Sequence, residues 1–195
     1  MKILAATNNA GKVKEIRAIL GSLGHEVLSL KDMGIEIDVE ETGTTFEENA
    51  FIKARAIADI TDCAVIADDS GLCVDALGGE PGVYSARYAG EGASDEELVA
   101  KLLINMKDVK EENRGAHFVS VVALVLPDKR EYSAMGCADG RITFEPSGNG
   151  GFGYDPVFYS DEIKKTYAQM CADEKNKISH RYRALIKMKE IMENL

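Results

Sequence analysis

The segment Lys2-Ile3-Leu4-Ala5-Ala6-Thr7-Asn8-Asn9-Ala10-Gly11-Lys12 passes from an apolar run into small and polar residues, and a helical pattern begins where it ends. Lys2 to Thr7 reads as a buried strand. Val13, Ile16, Leu20 and Leu23 then recur at the spacing of one helix face, and Gly24 stops that helix. His25 to Leu30 returns as a strand. Strand, tight loop, helix and strand within thirty residues is the beginning of an alternating α/β pattern.

The alternation continues down the chain. Thr45-Phe46-Glu47-Glu48 has the form of a capping box and opens an alanine-rich helix running to about Asp59. Ala64 to Ala67 is a short apolar strand expected to end at Asp68 and Asp69. Ser94-Asp95-Glu96-Glu97 opens a further helix toward Met106. Phe118 to Leu126 and Arg130 to Cys137 form the strongest strand pair, joined by the Pro127-Asp128-Lys129 turn. Arg141 to Phe144 extends the sheet after an Asp139-Gly140 turn, and Pro156 to Tyr159 adds a short strand. A last helix starts near Ser179, with Leu185, Met188 and Met192 as its apolar stripe. The pattern predicts an α/β (α+β-like) fold, a mixed sheet with flanking helices, as a single domain over residues 1–195. Strand ends facing glycine-rich loops point to two lobes around a central cleft.

Composition narrows the function. The 195 residues are 45% hydrophobic and 29% charged, the balance of a globular chain able to bury a core. Twenty-three basic against thirty-three acidic side chains leave a net charge of −10, which disfavours nucleic acid and anionic membranes as partners. No apolar run approaches the ~20 residues needed to cross a bilayer, and no secretory leader is recognisable. Cys63, Cys73, Cys137 and Cys171 show no paired spacing and read as small buried side chains in a reducing, cytoplasmic setting.

Several clusters can carry chemistry. Thr7 to Lys12 places small residues and a lysine between a strand and a helix, where backbone N–H groups and the helix terminus attract anions; it lacks the Walker A pattern. Taken alone, the same residues read first as a strand-to-helix turn capped by Asn9 with Lys12 solvated. Asn49 and Lys53 share a helix face with Phe46. Glu40-Glu41 and Asp68-Asp69 offer hard oxygens from separate segments, the donor type of magnesium, although a charge run is more often a solvated face. In Gly150-Gly151-Phe152-Gly153-Tyr154-Asp155-Pro156, Phe152 can lie against a flat ring while Asp155 accepts from ring N–H groups. Residues 175–195 carry six basic and two acidic side chains, the most basic stretch of the chain, and include Lys175, His180 and Arg181. Ser179 and His180 are adjacent on a helix and point about 100° apart, so they are no nucleophile–base pair.

Taken together, Thr-x-Asn-x-x-Lys from Thr7, Phe-x-x-Asn-Ala-x-x-Lys-Ala from Phe46 and Ala-Asp-Asp-Ser-Gly-Leu from Ala67 give the chain a recognisable signature. Gly-Gly-x-Pro-Gly-x-Tyr-Ser-Ala-Arg from Gly78, Gly-Gly-Phe-Gly-Tyr-Asp-Pro from Gly150 and Ser-His-Arg from Ser179 complete it. The chain resembles the inosine triphosphate pyrophosphatase, or Ham1-like, family over nearly its whole length. Asn8 departs from the glycine that many relatives carry. The resemblance implies a hydrolase that converts the purine nucleoside triphosphates ITP, dITP and XTP to monophosphate and pyrophosphate, with Mg²⁺, as a homodimer. It implies that Thr7, Asn8, Asn9, Ala10, Gly11, Lys12 and Ser70 contact the triphosphate, with Lys53 adding charge. Glu41 and Asp69 would hold the metal, Asp69 would serve as base, and Asp68 would lie behind them. Phe152, Gly153, Tyr154, Asp155, Lys175, His180 and Arg181 would hold the purine. A binding protein that has lost catalysis is the alternative, and pyrophosphate release separates the two.

Overall fold

The computed structural model describes residues 1–195. Its seven strands are β1 (Lys2–Ala5), β2 (Glu26–Ser29), β3 (Ala64–Val74), β4 (Gly115–Val125), β5 (Glu131–Ile142), β6 (Phe158–Ser160) and β7 (Lys165–Thr166). The helices are α1 (Ala10–Ser22), α2 (Phe46–Ala58), α3 (Asp95–Asn105), α4 (Ala172–Ile178) and α5 (His180–Met192). The strands form one sheet in the order β2-β1-β3-β4-β5-β6-β7. β1 pairs parallel with β2 and β3, whereas β5, β6 and β7 pair antiparallel, so the sheet is mixed as the sequence predicts.

The chain divides into two compact units. The first comprises residues 1–69, 120–136 and 179–195, and the second residues 70–119 and 137–178. β3 and β4 each begin in one unit and end in the other, as does β5. The first unit's core joins Ile3, Ala5 and Ile66 to Val122 and Leu124 of β4, with Ile16 and Leu20 of α1 and Leu185 and Met188 of α5. These are the helix-face residues that periodicity selects. In the second unit, Leu72, Val74 and Leu102 surround an aromatic cluster. There the Phe118 and Phe158 rings meet edge to face at 4.6 Å, and Tyr167 stacks on Phe118 at 5.7 Å.

The capping signals mark helix starts accurately. Thr45 and Ser94 accept the N3 amides of α2 and α3, and Glu48 and Glu97 reach back, completing both capping boxes. Three expectations need correcting. β3 does not stop at Asp68: Leu72 and Val74 belong to the second unit's core and carry the strand five residues past Asp69. The Asp139-Gly140 pair makes no turn, since β5 runs unbroken to Ile142. Gly140 is there for contact, because a Cβ would stand 2.4 Å from the Tyr159 carbonyl oxygen. Finally, none of the four cysteines is fully buried; Cys63, Cys73 and Cys137 are half-buried and Cys171 is exposed. No helix is long and apolar enough to cross a membrane.

Candidate active site

The first unit gathers three cations and four carboxylates around β3. Asn9 caps α1, its side chain accepting the Lys12 amide at 3.0 Å, and this directs Lys12 toward β3. Lys12 Nζ lies 3.4 Å from both the Asp68 carbonyl oxygen and Asp68 Oδ2. α2 contributes Lys53, which is buried because Ala50 and Ala54 on the same face let the helix pack closely. Lys53 Nζ donates to Glu41 Oε1 at 2.8 Å and to Asp69 Oδ1 at 3.3 Å. Glu40, its sequence neighbour, is exposed. Of the two, Glu41 is the side chain that Lys53 reaches.

Arg181 completes the cluster. It is the second residue of α5, behind the Ser179 cap, and the first turns of that helix pass close to β5 at Gly136, where a Cβ would stand 2.2 Å from the His180 carbonyl oxygen. Its guanidinium meets Asp68 Oδ2 at 3.1 Å through Nε and Nη2, and Glu15 through Nη1. Arg181 is only 1% exposed. Glu15 was not singled out in the sequence. The available signal was its place three residues after Lys12, on the same side of α1.

Burial and charge act against each other here. Burial alone would raise the Asp68 carboxyl, but Arg181, Lys12 and Lys53 together hold it far below the usual carboxylate range. Burial raises Asp69 above its ordinary value, with Lys53 and Lys12 opposing and Glu41 and Asp68 adding to the rise. Burial also lowers Lys12. For Lys53 the carboxylates Asp69, Asp68 and Glu41 jointly outweigh burial and raise it. Two adjacent aspartates thus differ in basicity: Asp68 is locked as an anion, and Asp69 is the better proton acceptor.

The second unit holds a separate aromatic–cation group. Lys175, buried at the centre of α4, lies 2.6 Å from Asp155 Oδ2 and 4.7 Å from the centroid of Phe152. Asp155 Oδ2 also accepts the Phe152 amide at 2.9 Å. A Cβ on Gly151 would overlap that carboxylate, so glycine admits the close approach, and its positive φ suits the turn. Tyr154 faces inward, donating to the Ser85 carbonyl at 2.7 Å, while Ser85 Oγ accepts the Leu72 amide at 2.9 Å. Ser70 is half-buried on β3.

The sites expected from the sequence thus fall into two groups. Lys12, Glu41, Lys53, Asp69 and Arg181 come together in the first unit, with Thr7 to Asn9 in the loop before α1, Ala10 and Gly11 in its first turn and His180 buried at the start of α5; Phe152 to Asp155 and Lys175 come together in the second, which also holds Ser70. Asn8 points its amide elsewhere, to the Ile37 carbonyl at 2.9 Å. Glu41 and Asp69 both place a carboxylate oxygen on the Lys53 ammonium, which brings two hard oxygens together, while no group of three or more His, Cys, Asp or Glu side chains gathers as a metal cage would.

An α/β protein with paired cations and carboxylates along one strand and an aromatic–lysine group elsewhere has the makings of a polyphosphate-handling hydrolase. The chain belongs to the Ham1 family, whose model matches residues 3–191. It is 48% identical over 190 residues to the dITP/XTP pyrophosphatase of Bacillus subtilis, covering 97% of this chain and 96% of that one. The Clostridium perfringens dITP/XTP pyrophosphatase is 50% identical over 200 residues, covering 100% and 98%. The solved structure of the Staphylococcus aureus Ham1 protein superposes with a TM-score of 0.87 at 42% identity, covering 100% of this chain and 99% of that one.

Proposed function

We propose that this protein hydrolyses the non-canonical purine nucleoside triphosphates ITP, dITP and XTP to the monophosphate and pyrophosphate. The single observation that carries the reading is Lys53, with its ammonium between Glu41 and Asp69 and Lys12 on the neighbouring Asp68. The relatives' names supply the substrate class.

In this reading Thr7 to Lys12 and Ser70 take the triphosphate, with Lys53 neutralising charge as it moves toward the leaving group. Glu41 and Asp69 would hold Mg²⁺, which when bound polarises phosphoryl oxygens and neutralises the leaving pyrophosphate. Asp69, raised by burial, takes the proton of the attacking water. The water oxygen bonds to the α-phosphorus, and the bond from that phosphorus to the bridging oxygen breaks. The electron pair leaves with pyrophosphate. Asp68, held as an anion, keeps Lys12 in place throughout.

Phe152, Gly153, Tyr154, Asp155, Lys175 and His180 serve the purine, with Phe152 as the stacking face. Lys175 is the donor suited to a 6-oxo group; a 6-amino group would present another donor and leave the lysine with a poorer partner. Arg181 serves indirectly, tying the start of α5 to Asp68 and Glu15. We further propose that residues 1–195 act as one domain, in a cytoplasmic homodimer that uses neither nucleic acid nor membrane as partner. A product assay over common and deaminated triphosphates tests the central reading. Monophosphate plus pyrophosphate from dITP and XTP is expected, whereas orthophosphate release or absence of turnover overturns it.

A further inference from the structure

Glu41 lies in a stretch, residues 35–45, that has neither helix nor strand. Such a loop does not by itself hold a carboxylate at a fixed point. Two asparagine amides do. Upstream, Asn8 Nδ2 donates to the Ile37 carbonyl at 2.9 Å; downstream, the Gly43 amide donates to Asn49 Oδ1 at 2.8 Å. Asn49 is 0% exposed, on the α2 face that buries Ala50, Lys53 and Ala54. One helix face therefore grips the loop twice, at Gly43 through Asn49 and at Glu41 through Lys53 one turn later.

The joint is tightly fitted. A Cβ on Gly43 would stand 2.7 Å from Asn49 Oδ1, 2.7 Å from Glu48 Cβ and 3.0 Å from the Asn49 amide nitrogen. Glycine is required here by contact, since its φ lies outside the left-handed region. Asn49 Nδ2 meanwhile has no hydrogen-bond partner in the protein. A buried unpaired amide is unfavourable, so packing alone would favour an apolar residue. An aspartate would accept the same bond but add negative charge one turn from Lys53. The acceptor oxygen is what the joint requires.

We propose that Asn49 is a positioning residue for Glu41: by seating Gly43 on α2 it sets where the Glu41 carboxylate meets Lys53, and so its placement relative to Asp69. This rests on the reading of Glu41 and Asp69 as ligands of a divalent cation. Residues behind metal ligands commonly alter metal affinity by about 10- to 100-fold when changed.

The test perturbs the joint from both sides, with Asn49→Leu and Gly43→Ala, and restores its acceptor with Asn49→Asp. Ser94→Ala, which removes the α3 cap in the second unit, controls for general destabilisation. Mn²⁺ binding to nucleotide-free protein is read by electron paramagnetic resonance, and the Mg²⁺ dependence of pyrophosphate release from dITP is read beside it. Asn49→Leu and Gly43→Ala are expected to weaken Mn²⁺ binding and raise the half-saturating Mg²⁺ at least fivefold, with kcat recovering at saturating Mg²⁺. Asn49→Asp and Ser94→Ala are expected to stay within fivefold of the unmodified protein in metal binding. Changes under fivefold in Gly43→Ala, which alone decides if Asn49→Leu does not fold, overturn the proposal, as does a kcat that saturating Mg²⁺ leaves low. Metal-independent pyrophosphate release by the unmodified protein overturns the ligand reading itself, a result separate from any variant.

Discussion

Lys53 Nζ stands 2.8 Å from Glu41 Oε1, twelve residues apart in the chain, and the same ammonium reaches Asp69. A divalent cation drawn to these carboxylates competes with a lysine that already sits between them. Lys53→Met removes that competitor and also the charge that supports the leaving group. Mn²⁺ affinity of the nucleotide-free protein should rise while kcat falls by roughly 10²- to 10³-fold. A Mn²⁺ titration beside a pyrophosphate assay checks both directions, and a fall in both quantities contradicts the arrangement.

Asp69→Asn keeps the size of the side chain and removes its proton-accepting charge. Turnover should drop by about 10²- to 10⁴-fold. Nucleotide binding, measured by equilibrium dialysis, should persist, because Lys12 and Lys53 are untouched. Near-normal kcat would remove Asp69 from the role of base.

Arg181→Ala takes the guanidinium away from buried Asp68, leaving it Lys12 as its remaining ion-pair partner, and from half-buried Glu15. Removing one partner of a buried charge costs on the order of 3–5 kcal/mol, which urea unfolding measures directly. Base selectivity is expected to follow Lys175 instead. Lys175→Met should lower the ITP-to-ATP ratio of kcat/KM by about tenfold or more. Arg181→Lys, which retains the charge, should leave that ratio near its original value, and a collapse there would return Arg181 to the purine.

The Tyr154 hydroxyl, as distinct from the loop position that serves the purine, is expected to act on stability. It donates to the Ser85 carbonyl inside the second unit, and burial raises its titration above the ordinary tyrosine value. Tyr154→Phe leaves a carbonyl without this donor and should lower stability by about 1–3 kcal/mol. A shift in the urea midpoint with unchanged slope is the expected signature; an unchanged midpoint counts against it.

The α3 capping box introduces a dependence on pH. The Ser94 amide and hydroxyl hold Glu97 below its ordinary value of 4.5. A carboxylate depressed by folding contributes its stability above the unfolded value and loses it as pH falls through the folded one. Glu97→Gln keeps an acceptor at that position at every pH. Its melting temperature should therefore decline less steeply than that of the unmodified protein between about pH 5 and pH 3; parallel curves would show that Glu97 contributes nothing.

Much of this was legible in the order of residues, for local reasons. The capping boxes at Thr45 and Ser94 place helix starts because the groups involved lie within three residues of one another. The apolar spacing of α1 and α5 selects the faces that enter the first core. The pairing of Asn49 with Lys53 on one face of α2 was readable from their four-residue separation. Against this, the sequence alone placed the end of β3 at the aspartates. Two adjacent charges usually terminate a strand, and only the cations gathered around them permit their burial within it.

The sequence by itself determined the α/β alternation, the helix starts and the set of residues with chemistry to offer, because capping and amphipathic spacing act over a few residues. The tertiary structure alone decided their partners. Arg181 meets Asp68 across 113 positions of chain, and the loop bearing Glu41 is held by Asn8 and Asn49. Which carboxylate is locked as an anion and which is left as the stronger base depends on burial and on charges brought in from distant segments. Electrostatic energies follow distances in space, and no local pattern of residues encodes those.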